Sequence, residues 1–179
     1  MRKSYQEIDK IYFWTATIHH WNILLQSDEN KKIILDSFTY LTTNGLVDLY
    51  AFVIMPNHIH LIWKNKKMNK KEMPWVSFLK YTAHLLFKNL KKENETYSYV
   101  VKAKNKNHEI WKRDSFAVEL YTKKVMLGKL NYIHANPKAG RWDLSIDNLS
   151  YQYSSAKFYE LGIDEFGFLK DIYDEFGHI

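Results

Sequence analysis

Residues 11–18 read IYFWTATI, a run of β-branched and aromatic residues that favours a strand. Asp28 stands where it can cap a following helix, whose apolar positions Ile34, Phe38 and Leu41 recur at helical spacing. Asn44-Gly45 is a stop signal for that helix. Two more strand-like runs, residues 46–55 and 58–63, are split by Pro56-Asn57 alone, so they should pair as an antiparallel hairpin. Across residues 75–90 the apolar Trp75, Leu79, Leu86 and Leu90 repeat at helical spacing, while Lys80, His84 and Lys88 fall on another face. Residues 115–120 alternate like a strand, and residues 122–136 read as a helix ended by Pro137.

The order is therefore β-α-β-β-α-β-α. Its first six elements match a ferredoxin-like α+β sandwich, in which an antiparallel sheet carries helices on one face, and the last helix is an addition. A chain of 179 residues with 46% hydrophobic content can bury one core, so one domain over residues 1–159 is expected, followed by an acidic, aromatic tail over residues 160–179. With no cysteine, disulfides, Cys-ligated zinc and thiol nucleophiles are excluded. The N-terminus lacks the apolar stretch of a secretory signal, and no run approaches the roughly 20 apolar residues that span a membrane, so the expected compartment is the cytoplasm.

The formal charge of +6 is unevenly distributed. Residues 64–113 hold 14 Lys and Arg against 4 Asp and Glu, whereas residues 160–179 hold 1 against 6. A basic middle third, with Lys64, Lys66, Lys67, Lys70 and Lys71 clustered and Lys80 and Lys88 on a helix face, points to a polyanionic partner. The plain alternative is that these lysines solvate an exposed loop and helix.

His58 and His60 lie two apart on an expected strand, so both imidazoles face one side and can converge on a cation. In a chain with eight histidines the spacing alone is a weak signal, and two half-buried strand histidines would also satisfy it. The setting adds weight, because the pair follows a tight turn and is flanked by the apolar Ile59, Leu61, Ile62 and Trp63. On the last helix, Met126, Leu130 and Ile133 form a core stripe, and Tyr132 points away from it. Lys129 and Asn136, at i−3 and i+4, share the face of Tyr132, a polar surface that packing does not explain.

The stretch YAFVIMPNHIHLIW resembles the His-hydrophobic-His signature of the HUH single-tyrosine transposases, in particular the REP-associated tyrosine transposases of the IS200-like group. LNYIHANP, residues 130–137, resembles that family's tyrosine helix. Trp111 matches a Trp that often precedes the fourth strand, and YSSAKFY from Tyr153 resembles the C-terminal block. The similarity covers roughly residues 10–159, with the motifs in family order. It implies a divalent metal, Mg²⁺ or Mn²⁺, on His58, His60 and Asn136, with Tyr132 as the nucleophile. It further implies an enzyme that cuts and rejoins single-stranded or hairpin-bearing DNA through a 5′-phosphotyrosine, without a membrane, as a monomer or homodimer. Lys129 and the lysines named above would then contact DNA. The chain departs from the family where many relatives carry Val-Arg or Val-Lys after the Asn-Pro, since here Lys138-Ala139-Gly140-Arg141-Trp142 follows Pro137. Two other classes fit parts of the pattern: a noncatalytic nucleic-acid-binding module, and a metal-dependent phosphodiesterase that uses water as nucleophile.

Overall fold

The computed structural model describes residues 5–103, 106–140 and 142–177; Arg141 thus lies outside the described residues. Four strands form one antiparallel sheet: β1 (Ile11–Thr17), β2 (Val47–Met55), β3 (His58–Asn65) and, after a two-stranded ribbon of β4 (Val100–Ala103) and β5 (Lys106–His108), β6 (Phe116–Glu119). Their spatial order, β2-β3-β1-β6, puts β3 and β1 in the centre. With the helices α1 (Asp28–Thr43) and α2 (Pro74–Glu93) as crossovers, this is the α+β arrangement expected from the sequence. The β4–β5 ribbon, and the short helices α4 (Ala156–Leu161) and α5 (Tyr173–Phe176), are further elements that the periodicity did not disclose.

The α1 helix starts one residue earlier than the capping argument proposed. Ser27, not Asp28, is the cap: its hydroxyl accepts from the Asn30 amide at 3.3 Å, while Asp28 occupies the first turn, where its charge suits the helix dipole. At the other end Gly45 takes the left-handed φ of 60° that stops the helix, as the Asn-Gly pair suggests.

The two faces of the sheet have separate cores. Ile59, Leu61 and Trp63 of β3 point, with Trp14 and Phe52, toward α1 and α2, where Phe38, Phe78 and Leu86 meet them. His58, His60 and Ile62 point the other way, toward α3 (Lys123–Ala135), which packs Met126, Leu130 and Ile133 on Phe13, Val53 and Met55. This double coverage explains why β2 is buried at every position, and why YAFVIM reads as a continuous apolar run rather than an alternating one.

Although β2 is an edge strand, the C-terminal third of the chain covers its outer side. Tyr153 and Ser155 exchange backbone hydrogen bonds with Ile54 and Phe52, and the Lys170 amide donates to the Leu49 carbonyl at 3.0 Å. Ile172 is fully buried beside Tyr50, and the Tyr50 hydroxyl donates to Glu175 at 2.6 Å. Pairing of this kind removes the hazard of an open strand edge.

His134 ties α3 to the same block, its Nε2 lying 3.0 Å from the Ser155 hydroxyl. Burial lowers its pKa from 6.5 to about 4, so the fold favours the neutral ring. Its contribution is therefore fully present above about pH 6.5 and is lost as pH falls toward 4, a difference of about 3 kcal/mol. Urea midpoints should drop between pH 7 and 4.5, and His134→Gln should flatten that acid limb while lowering stability at pH 7.

Candidate functional site

The candidate site lies where β1, β3 and α3 meet on the second face. Register sets Thr15 opposite His60 and Thr17 opposite His58, so two threonines and two histidines share one patch of the central strands. The imidazole centroids of His58 and His60 are 4.6 Å apart, and both residues are buried. Tyr132 enters from α3 with its ring centroid 5.1 Å from that of His60, in an edge-to-face contact. It is 49% exposed, so the phenol is supported by the protein and still open to a substrate.

Asn136 follows directly after α3, opening the short turn Asn136–Lys138. Its side chain is buried within the same cavity, of about 380 Å³, lined also by Trp21, His58, His60, Tyr132 and Trp142. The sequence placed His58 and His60 in one motif and Tyr132 and Asn136 in another, some 70 residues on, and the fold brings all four to one cavity.

The hydrogen bonds at these residues bear on whether they could hold a cation. The Oδ1 of Asn57 accepts from Nδ1 of His58 at 2.7 Å, and Nδ1 of His60 is 2.7 Å from the Thr15 hydroxyl. The Asn57 oxygen can only accept, so His58 carries its proton on Nδ1 and keeps the lone pair on Nε2; the Thr15 hydroxyl can accept from Nδ1 of His60 in the same way, which leaves that ring's Nε2 as the acceptor. Nε2 of His60 and Oδ1 of Asn136 are both buried without a protein hydrogen-bond partner. Two orphaned acceptors at one cavity are costly unless something with positive charge or a proton completes them. Burial, then the neighbouring His58 and Lys129, pushes His60 down to about 3, which keeps the ring neutral near pH 7. Among the described residues no group of three His, Cys, Asp or Glu that could hold a metal exists, so a metal held here would need the amide of Asn136 as well as the imidazoles. Two imidazoles and an amide oxygen form a mixed donor set compatible with Mn²⁺ and, with several retained waters, with Mg²⁺.

Lys129 adds charge to the same place. Its ammonium sits 4.4 Å from the Phe13 ring centroid and 5.7 Å from that of Tyr132. Thr15, Asn57, Phe13 and Trp21 were not singled out by the sequence. Thr15 was findable, since it shares the period-2 face of β1 that meets a partner strand, whereas the other three depend on contacts between distant segments.

The remaining lysines are distributed differently. Lys80 and Lys88 ride on α2, which packs against the opposite face of the sheet, and Lys80 pairs with Glu72. Lys64 lies at the far end of β3, about 20 Å from His58 at 3.3 Å per residue, and is paired with Glu175 and mostly covered. Lys66 approaches Asp9 at 3.4 Å, while Lys67, Lys70 and Lys71 are exposed. Neutralising Lys67, Lys70 and Lys71 together should reduce the salt slope of single-stranded DNA binding by about 2, from about 0.7 per phosphate contact. An unchanged slope would make the loop a solvated surface. A larger cleft of about 550 Å³ between α1 and α2 has its charges paired, Asp36 with Lys32 and Glu72 with Lys80, and contains no histidine.

Replacing Asn136 by Ala tests whether its amide serves as a third ligand. Cleavage should fall by roughly tenfold, the value of one polar contact, because water can take the place of an amide oxygen. The Mn²⁺ concentration for half-maximal activity should rise in parallel, and an unchanged value would remove Asn136 from the ligand set.

No protein-family model and no curated protein matches this chain. Among solved structures it is similar to a REP-associated tyrosine transposase bound to a REP hairpin, with 15% identity, a TM-score of 0.65, and coverage of 96% of this chain and 92% of that chain. It is also similar to a candidate transposase from Deinococcus radiodurans R1, with 16% identity, a TM-score of 0.45, and coverage of 74% and 95% respectively. At this identity the first likeness shows a shared fold over nearly the whole chain.

Proposed function

We propose that this chain is a metal-dependent transposase that cuts and rejoins single-stranded, hairpin-bearing DNA through a covalent link to Tyr132. The observation that carries the reading is the pair of orphaned buried acceptors, His60 Nε2 and Asn136 Oδ1, at the cavity that Tyr132 also lines. The shared fold with a transposase described with a DNA hairpin supports it, as do the ordered motifs in the sequence.

A phosphodiester repels nucleophiles by its own negative charge, and a divalent ion on His58, His60 and Asn136 would neutralise a nonbridging oxygen. Tyr132 attacks the phosphorus: its Oη–P bond forms and the P–O3′ bond breaks. The phenolic proton is balanced by the one taken up by the departing 3′-oxygen. One phosphodiester replaces another, so bond energy is retained, no ATP is consumed, and rejoining is the reverse step. Lys129, held over Phe13, offsets charge on the incoming phosphate, while Phe13 and His60 hold the Tyr132 ring by edge-to-face contacts.

The test is a denaturing gel of protein incubated with end-labelled hairpin-bearing single-stranded DNA and Mn²⁺ or Mg²⁺. A 3′ label should migrate with the protein, and a 5′ label should appear on a shortened free strand ending in a 3′-hydroxyl. Two free fragments would instead indicate water as the nucleophile, and binding without cleavage a noncatalytic module. A perfect duplex should bind less well, because its bases are not available to stack.

A further inference from the structure

Trp21 is held in a backbone conformation that its residue type disfavours. It and His20 have φ values of 60° and 54°, in the left-handed region that suits glycine, at the turn that follows β1. The indole gains little burial in exchange, since it is 51% exposed at the cavity mouth. Such an outlier calls for a reason outside packing.

The surrounding contacts fix where the ring stands. One side chain, Asn57, donates from Nδ2 to the Trp21 carbonyl at 3.1 Å and accepts from His58 at 2.7 Å, so the Trp21 turn is tied to a metal-ligand candidate. The Trp21 centroid is 6.4 Å from that of His58. The rings then run in the order Tyr132, His60, His58, Trp21, with the tyrosine and the indole at opposite ends. Lys112 holds its ammonium 5.0 Å from the indole centroid, and its own amide is bonded to the Thr17 carbonyl. An exposed aromatic face with a cation beside it is the usual apparatus for one unpaired nucleotide: the ring takes the base and the ammonium its phosphate.

We infer that Trp21 stacks on the base of the nucleotide that carries the departing 3′-oxygen, with Lys112 on that nucleotide's backbone, so that the cut strand is retained for rejoining. The inference rests on the phosphotyrosine reading. In a phosphoryl transfer the attacking and leaving oxygens lie roughly in line. With Tyr132 on one side of the phosphorus, the leaving nucleotide lies on the other, and Trp21 occupies the end of the ring series away from Tyr132.

Trp21→Gly is the natural variant, because glycine accepts the positive φ and the ring is deleted without added strain. In EDTA, binding of fluorescent dT10 should weaken at least about fivefold in Trp21→Gly with the same salt slope, and recover in Trp21→Phe. The melting temperature of Trp21→Gly should not fall. On the hairpin substrate, once the break is mapped, an abasic site at the nucleotide 5′ to it should impair rejoining in the wild type. The same abasic site should have no further effect in Trp21→Gly. Unchanged dT10 affinity, an equal loss in Trp21→Phe, or continued sensitivity of Trp21→Gly to the abasic site would each overturn the inference. Absence of any adduct in the wild type would instead sink the catalytic reading, and with it the assignment to the leaving nucleotide. The dT10 series would then still report whether the indole holds a base.

Discussion

Replacing His60 by Ala should leave a folded protein that cuts DNA about a thousandfold more slowly, with His58→Ala close behind. The magnitude follows from losing a Lewis acid that offsets several kcal/mol of charge, at about 1.4 kcal/mol per factor of ten. Both rings sit on a strand paired on both sides, so the sheet survives their truncation. Two measurements check this: single-turnover cleavage rates, and Mn²⁺ binding followed by calorimetry, which should be lost in parallel. EDTA should reproduce the effect on wild-type protein. Cleavage that persists in EDTA would contradict the metal requirement whatever the mutants do.

Tyr132→Phe should be the more severe change, since it removes the proposed nucleophile and keeps the ring. The edge-to-face contacts with Phe13 and His60 are retained, and the residue is half exposed, so stability should stay within about 1 kcal/mol of wild type. Covalent adduct should be lost altogether, with cleavage reduced on the order of 10⁴-fold or more. DNA and Mn²⁺ affinities should be nearly unchanged. Normal cutting by this variant would hand the nucleophilic role to water or to another tyrosine.

Much of this arrangement was legible in the sequence because it depends on local periodicity. The alternation of β3 placed His58 and His60 on one face, and the stripe of Met126, Leu130 and Ile133 fixed which way Tyr132 points. Pairings across the chain were not legible in the same way. The acidic tail reads as an appendage, yet Lys170 bonds to Leu49 and Glu175 to Tyr50 and Lys64, contacts more than 100 residues apart that no local signal encodes. For the same reason the sum of positive charge pointed to a basic surface but could not separate Lys64, covered by Glu175, from the exposed Lys67, Lys70 and Lys71. The cap of α1 was misplaced by one residue because Ser27 and Asp28 are both good capping residues, and only the backbone decides between them. Trp21 was hidden for a different reason. A positive φ on a tryptophan is a tertiary outcome, found here together with an Asn57 bond to its carbonyl from 36 residues away.

The central claim is that Tyr132 becomes covalently bound to the 5′ phosphate of cut DNA. Peptide mass spectrometry of the adduct, after nuclease trimming, tests it most directly. The account predicts a residual nucleotide on the peptide containing Tyr132, lost in Tyr132→Phe. A nucleotide mapped to another residue such as the exposed Tyr121, or cleaved DNA with no modified peptide, would contradict it.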